Sequence, residues 1–352
     1  MLYKTLKFKY LIFIILLCFL AALTLFSSVG TKGAQTGLKV CATVIIPSFF
    51  PYTFAVIFLS NLGVSNIFKP FKRIIKILFN MNTDVFFAFL LSFLGGYPSG
   101  AKLINEMHKK GQINADTANN LLLFCVNAGP AFIVIAIGNN ILFSNECGII
   151  LLASHILSSL FFALLLRRKN TFTICKPSFN EKSISENFVL SVTDAANTVL
   201  KICFFVILFS VFNAFIDEFA KTFEYLKVIS LFCEVTTAVY SYKNIYFISF
   251  ILGFAGISIW CQIFAIVKDL KINTLKFILS RLLHGILNCS ITYLLIKTFR
   301  PEIVVISNNI NGIFNSHINT PQVIVCLVIM LILLIISIEN KNTCGKIRND
   351  LL

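Results

Sequence analysis

Charge is scarce in this chain. Only 13% of its 352 residues are Asp, Glu, Lys or Arg, about half the share found in a soluble domain. A soluble chain of this length would form two or three domains with polar surfaces, and these residues cannot supply them. Negative charge is the scarcer sign: 15 Asp and Glu stand against 30 Lys and Arg, a formal net charge of +15. No Cys-x-x-Cys occurs and no Cys/His cluster has zinc spacing, so nothing points to a metal site or a disulfide-stapled secreted fold. Walker A, Gly-x-Ser-x-Gly and His-Glu-x-x-His motifs are missing, as is any nucleophile–base pair. ATP-driven transport by this chain alone and enzymatic activity are therefore not expected, and no cofactor is implied.

What the chain has in abundance is apolar sequence: 57% hydrophobic residues, 38 of them Phe, with a mean hydropathy of +0.87. About 20 apolar residues cross a bilayer core as a helix. Runs of that kind cover 8–29, 38–60, 118–138, 147–166, 195–216, 245–267, 276–298 and 322–338. Two weaker segments, 84–100 and 226–241, are interrupted or short. The expected fold is an all-α polytopic membrane protein with about eight transmembrane helices and two re-entrant or broken ones. The first apolar run follows Lys4, Lys7 and Lys9 with no small-residue cleavage site, which favours an uncleaved membrane helix over a signal peptide. Pro47 and Pro51 kink the 38–60 segment or turn it into a hairpin. Most of the 11 cysteines lie in apolar runs and read as small hydrophobes.

The basic residues sort by side. With 84–100 and 226–241 not crossing, one face collects the N-terminus, Lys69 to Lys76, Lys109 and Lys110, Arg167 to Lys182, Lys268 to Lys276, and the tail with Lys341, Lys346 and Arg348. By the positive-inside rule that face, with both termini, is cytoplasmic. The positive charge thus reads as orientation, with a lipid bilayer and no nucleic acid as partner.

Short matches recur about 160 residues apart, the kind of spacing that marks two structural repeats. Gly37-Leu38-Lys39-Val40-Cys41 resembles Val199-Leu200-Lys201-Ile202-Cys203, and Phe89 to Phe93 resembles Phe250 to Phe254. A Gly-containing break follows in both halves, and Gln112-Ile113-Asn114 matches Lys271-Ile272-Asn273. The resulting division is an N-terminal membrane helix (1–35), a first repeat (36–167), a cytoplasmic linker (168–190), a second, inverted repeat (191–300), and a last helix with a basic tail (301–352). Inverted repeats with broken helices hold transporter sites near the membrane midplane.

Four stretches carry chemistry. Gly95-Gly96-Tyr97-Pro98-Ser99-Gly100-Ala101-Lys102 cannot continue a regular helix. Either a half-helix resumes there and binds an anion at its N-terminus with Lys102, or the stretch is a tight turn with Lys102 reaching the interface. Asn127, in Asn127-Ala128-Gly129-Pro130, offers its amide to a substrate or to carbonyls freed by a proline kink. Glu234 is an acid well inside an apolar segment, where a partner or a coupling role is expected. Ser258 and Gln262 lie one helical turn apart and face either the first break or a neighbouring helix. Gly96, Ser99, Gly100, Lys102, Asn127, Ser258 and Gln262 form the expected substrate site, with Glu234 as a coupling or structural charge and no metal ligand. His155 and His284 look isolated and are assigned to packing.

The run Gly95 to Lys102, followed by Leu122 to Phe132, resembles the sporulation integral membrane protein YlbJ family, which has comparable Gly-x-Pro-x-Gly-Ala-Lys and Asn-x-Gly-Pro elements. Phe232 to Thr237 and Gly256 to Gln262 resemble its second-half stretches, although Ile259-Trp260-Cys261 stands where small residues are expected. The resemblance spans roughly 35–340. It implies a nucleoside-recognition (Gate-domain) membrane protein and a role in moving dipicolinic acid across a membrane around the forespore. A proton or cation would be coupled, and a homo-oligomer is compatible with such a fold. A non-transporting scaffold and a nucleoside-type transporter are the alternatives.

Overall fold

The computed structural model describes residues 2–167 and 183–299, with side chains from Lys9 onward. The described residues are helical or irregular, without strands. Helix α1 (Leu2–Leu25) stops one residue before α2 (Ser27–Val40), which runs through a π-helical turn (Cys41–Ile45) into α3 (Ile46–Asn61). A 3₁₀ stretch (Val64–Phe71) and α4 (Lys72–Phe79) precede α5 (Thr83–Gly95) and α6 (Tyr97–Lys109). Then come α7 (Ala115–Leu122), a π-helical segment (Ala131–Asn139) and α8 (Asn145–Leu166). Beyond residue 182 are α9 (Ile184–Ala220), α10 (Lys227–Cys233), α11 (Val235–Ser241), α12 (Ile245–Phe254), α13 (Gly256–Ile266) and α14 (Thr274–Phe299).

Five helices among the described residues are long and apolar enough to cross a bilayer: Ser27–Asn61, Asn145–Leu166, Ile184–Ala220, Ile245–Ile266 and Thr274–Phe299. A sixth arises if the pair Val64–Phe79 and Thr83–Gly95, bent by 80°, forms one span. The expected crossings over 147–166 and 276–298 therefore appear nearly as read, while 322–338 lies outside the described residues. The polytopic all-α architecture stands.

Three segments differ from expectation. Segment 38–60 is neither kinked apart nor a hairpin. Its helix starts at Ser27, absorbs the π-turn, and places Pro47 in the first turn of α3, where a missing N–H costs little. The stretch 30–37, rich in Gly and polar residues, is helical because Gly30, Gly33 and Gly37 are buried against α9. A Cβ on Gly33 would lie 2.8 Å from Ala214 Cβ, and one on Gly37 would lie 2.8 Å from Ile207 Cα. That close approach outweighs poor helix propensity. It also puts the 35/36 division inside α2.

Second, 118–138 is not one kinked helix. Helix α7 ends at Leu122, residues 123–129 are irregular or turn, and Pro130 caps the next helix. Third, α9 begins at Ile184 with Ser183 accepting from Glu186 N at 3.1 Å, so the helix claims the end of the expected linker. Helix 245–266 is one span in length, yet it is broken inside by Ala255 (φ 71°) and Gly256 (φ 66°).

The buried core lies between α5–α8 on one side and α10–α14 on the other. Gly253 on α12 sets α14 close, since a Cβ there would lie 2.7 Å from Gly285 Cα. Contacts between segments about 160 residues apart hold the two parts together. Cys41 Sγ donates to Cys203 O at 3.6 Å, Asn105 Nδ2 to Ile266 O at 2.9 Å, and Asn119 bonds both Lys271 O and Asn273 N.

Candidate functional site

Among the described residues, irregular backbone lies in the buried core as well as in loops. Gly96 has φ 78° and ψ 178°, a conformation open only to glycine, and it separates α5 from α6. Its neighbour across the core is Gly129: a Cβ on Gly129 would lie 3.3 Å from Gly96 N. Gly100 presses still closer, since a Cβ there would overlap Cys125 O outright. The first interrupted helix therefore sits directly on the second. In the other half, Gly256 packs against the α10–α11 break, 3.2 Å from its Cβ position to Val235 Cγ2. Tyr97 OH links the two pairs by donating to Leu252 O at 2.7 Å.

Unwound backbone at this depth needs partners, because water is excluded. Side chains supply them around 123–130. Arg281, fully buried on α14, donates Nη1 to Val126 O at 2.7 Å and Nη2 to Leu123 O. Phe124 O accepts from Ser159 Oγ at 2.6 Å and from Asn127 Nδ2 at 2.9 Å. Ala128 N donates to His155 Nε2 at 3.0 Å.

The polar groups continue beyond the break. His155 stacks on His284 with centroids 5.0 Å apart, and His284 Nε2 meets Ser158 Oγ at 2.6 Å. Asn288 donates to Ser249 O at 2.6 Å, and Ser249, Thr292 and Ser154 form a hydroxyl chain with 2.7 Å links. The two histidines are thus not isolated, as the sequence had them. They belong to one buried network from α8, α12 and α14.

Four buried atoms in that network lack a partner among the described residues: Asn127 Oδ1, Asn288 Oδ1, Arg281 Nε and His284 Nδ1. Among the described residues, no carboxylate stands within ion-pair distance of Arg281 either. A buried guanidinium without a counter-charge is expensive, even with its Nη groups hydrogen-bonded. A cavity lies beside it, about 590 Å³ in volume and lined by Asn119, Leu123, Lys271, Lys276 and Phe277 among others. Arg281 bonds the Leu123 carbonyl and lies 5.7 Å from the Phe277 ring centroid, so it stands behind that cavity wall.

The expected site residues divide. Gly96, Ser99, Gly100 and Asn127 come together at the paired breaks, where Ser99 Oγ donates back to Gly95 O at 2.7 Å. Lys102 leans away onto α9. Its ammonium donates to Asp194 O and Thr198 Oγ1, both at 3.2 Å, and stands 3.7 Å from the Asp194 carboxylate and 3.9 Å from that of Glu106. Its charge is compensated beside a second cavity, about 460 Å³, lined by Asp84, Glu106, Lys110 and Asp194 among others. Glu234 is 4% exposed and caps α11, its Oε2 accepting from Thr237 N at 2.7 Å. Ser258 and Gln262 bond each other at 3.3 Å. Outside the spans, the Lys109 ammonium hydrogen-bonds Asp269 at 2.8 Å and holds its carboxyl below the ordinary range.

Arg281 was the residue that motif reading passed over. The signal was present, since a lone arginine inside the apolar run 276–298 has the same standing as Glu234.

No family model matches the chain, and no solved structure matches it. Among curated proteins it is 26% identical over 311 residues to the sporulation integral membrane protein YlbJ of Bacillus subtilis (strain 168), covering 72% of this chain and 74% of that protein. That likeness supports the resemblance to the sporulation integral membrane protein YlbJ family carried by the Gly/Pro motifs.

Proposed function

We propose that this protein is a sporulation-associated transporter of a small organic anion, with dipicolinate as the foremost substrate, in the membrane around the developing spore. The observation that carries the reading is Arg281: a fully buried cation without a carboxylate partner among the described residues, behind a cavity lined by Lys271 and Lys276. An incoming carboxylate gains a charge-assisted bond to Arg281 and relieves the uncompensated charge. Asn127 and Ser99, at the adjoining breaks, are the hydrogen-bonding groups of the site. The cation of the site is Arg281 rather than Lys102, whose charge is already met by Asp194 and Glu106.

The two pairs of broken helices are, in this reading, the inverted repeats of an alternating-access carrier. Dipicolinate, a planar dianion at neutral pH, would compete with Leu123 and Val126 carbonyls for the guanidinium, so binding loosens the break that Arg281 braces. Glu234, at the break of the opposite half, is the candidate for proton or cation coupling.

A second reading has one observation in its favour. Both Nη groups of Arg281 already brace carbonyls, which suits a non-transporting structural component of a sporulation membrane complex. Uptake of labelled dipicolinate into proteoliposomes, with and without a pH gradient, separates the two. The transport reading expects saturable uptake above protein-free vesicles, lost in a folded Arg281→Lys protein. Absence of uptake by well-folded protein in both conditions contradicts it.

A further inference from the structure

The segment 64–79 ahead of α5 is amphipathic, basic and only partly covered by the rest of the protein. Phe71, Ile74 and Leu78 follow an i, i+3, i+7 pattern across α4 and are exposed, as is Ile67 (71%) on the preceding 3₁₀ stretch. Lys69, Lys72, Arg73 and Lys76 occupy the opposite side, and no acidic residue occurs between 64 and 79. Ile75, between the two faces, is 3% exposed and joins the core. Three directions are therefore assigned: one apolar and outward, one basic, one toward the protein.

Hydrogen bonds also tie this segment to the end of a candidate span. Helix α8 has 22 residues, about 33 Å at 1.5 Å per residue, which matches the hydrocarbon thickness. Arg167 follows its last turn, and Asn80 Nδ2 donates to Arg167 O at 3.1 Å while Arg167 Nη1 donates to Ile77 O at 3.4 Å. Those bonds hold α4 at the end of a span. Asn80 (φ 51°) and the Asn82 cap, accepting from Val85 N at 2.8 Å, then turn the chain by 80° into α5. With α5 running along the membrane normal, a helix at that angle lies along the membrane plane.

We propose that residues 64–79 form an interfacial anchor that binds the anionic lipids of one leaflet. Ile67, Phe71, Ile74 and Leu78 enter the acyl boundary, and Lys69, Lys72, Arg73 and Lys76 engage phosphate headgroups. The sign of the charge selects the lipid: four cations with no acid attract an anionic surface and leave a zwitterionic one without preference. Arg167, at the same level, adds a fifth cation to that surface. The proposal is independent of what the protein transports.

The test uses the full chain in bilayers of phosphatidylcholine containing phosphatidylglycerol. Spin-labelled lipid reports the preference of the protein for phosphatidylglycerol over phosphatidylcholine. Joint replacement Lys69→Gln, Lys72→Gln, Arg73→Gln and Lys76→Gln should lower that preference about tenfold or more, and salt should lower the wild-type preference in the same direction. Lys109→Gln, at the end of α6 beside Asp269, should leave it largely intact. In a separate arm, Phe71→Trp should be quenched by brominated acyl chains, after subtraction of the buried Trp260 signal. An unchanged preference in the fourfold variant overturns the proposal. So does an unquenched Phe71→Trp, and cross-linking between copies through that position would give the face to a second copy instead.

Discussion

Gly100 shows how little room the paired breaks leave. A methyl group there would overlap Cys125 O and fall 2.9 Å from Ser92 Cβ, so Gly100→Ala forces the irregular stretch off α6. Overpacking of that kind costs about 1–3 kcal/mol, and a lower thermal midpoint of the purified protein is the expected result. Gly111, at positive φ (68°) but with nothing within 4 Å, should tolerate alanine with a smaller loss, confined to backbone strain. Arg281 is the other decisive residue. Arg281→Gln frees the Leu123 and Val126 carbonyls, each costing about 1–3 kcal/mol if left unmet, and the midpoint should fall further than in Lys102→Gln. Local sequence made the glycines readable, because three Gly and a Pro in eight residues can only interrupt a helix. It did not make Arg281 or His284 readable, because their meaning comes from partners 126 to 158 positions away in the chain.

Among the elements, the interrupted helices are the part that sequence chemistry identified best. Gly/Pro content located the break at 96 and placed a kink where 123–129 is unwound, whereas Glu234, read as a coupling or structural charge, caps α11. Helix lengths were less legible. Polar and glycine-rich residues 27–37 look like a connection until α9 is laid against them, since packing rather than propensity keeps them helical. Gly33→Leu should separate α2 from α9 at a cost of about 1–3 kcal/mol, read as a lower thermal midpoint of the purified protein. The Asn82 cap gives a milder test: Asn82→Ala removes the acceptor of Val85 N and should cost about 1 kcal/mol, read as a small drop in the thermal midpoint.

The molecule as a whole joins a multi-pass helical bundle to a buried cationic centre. The Lys109–Asp269 pair, 2.8 Å apart, requires the loop after α6 and the loop after α13 to share one side of the membrane. A single cysteine at Lys110 or at Lys271, in a background without native cysteines, should therefore be labelled from the same side. Labelling from opposite sides contradicts the arrangement. The positive-inside reading of those loops expects that side to be cytoplasmic. Everything proposed for transport turns on the uncompensated Arg281 being the anion-binding charge of this protein, and calorimetric titration of dipicolinate into purified protein decides that point. The expected outcome is binding by the unaltered protein, a loss of at least about tenfold in affinity for a folded Arg281→Lys variant, as follows when a bidentate guanidinium contact is removed, and near-normal binding for Lys102→Gln. Binding that survives Arg281→Lys but disappears in Lys102→Gln would contradict it.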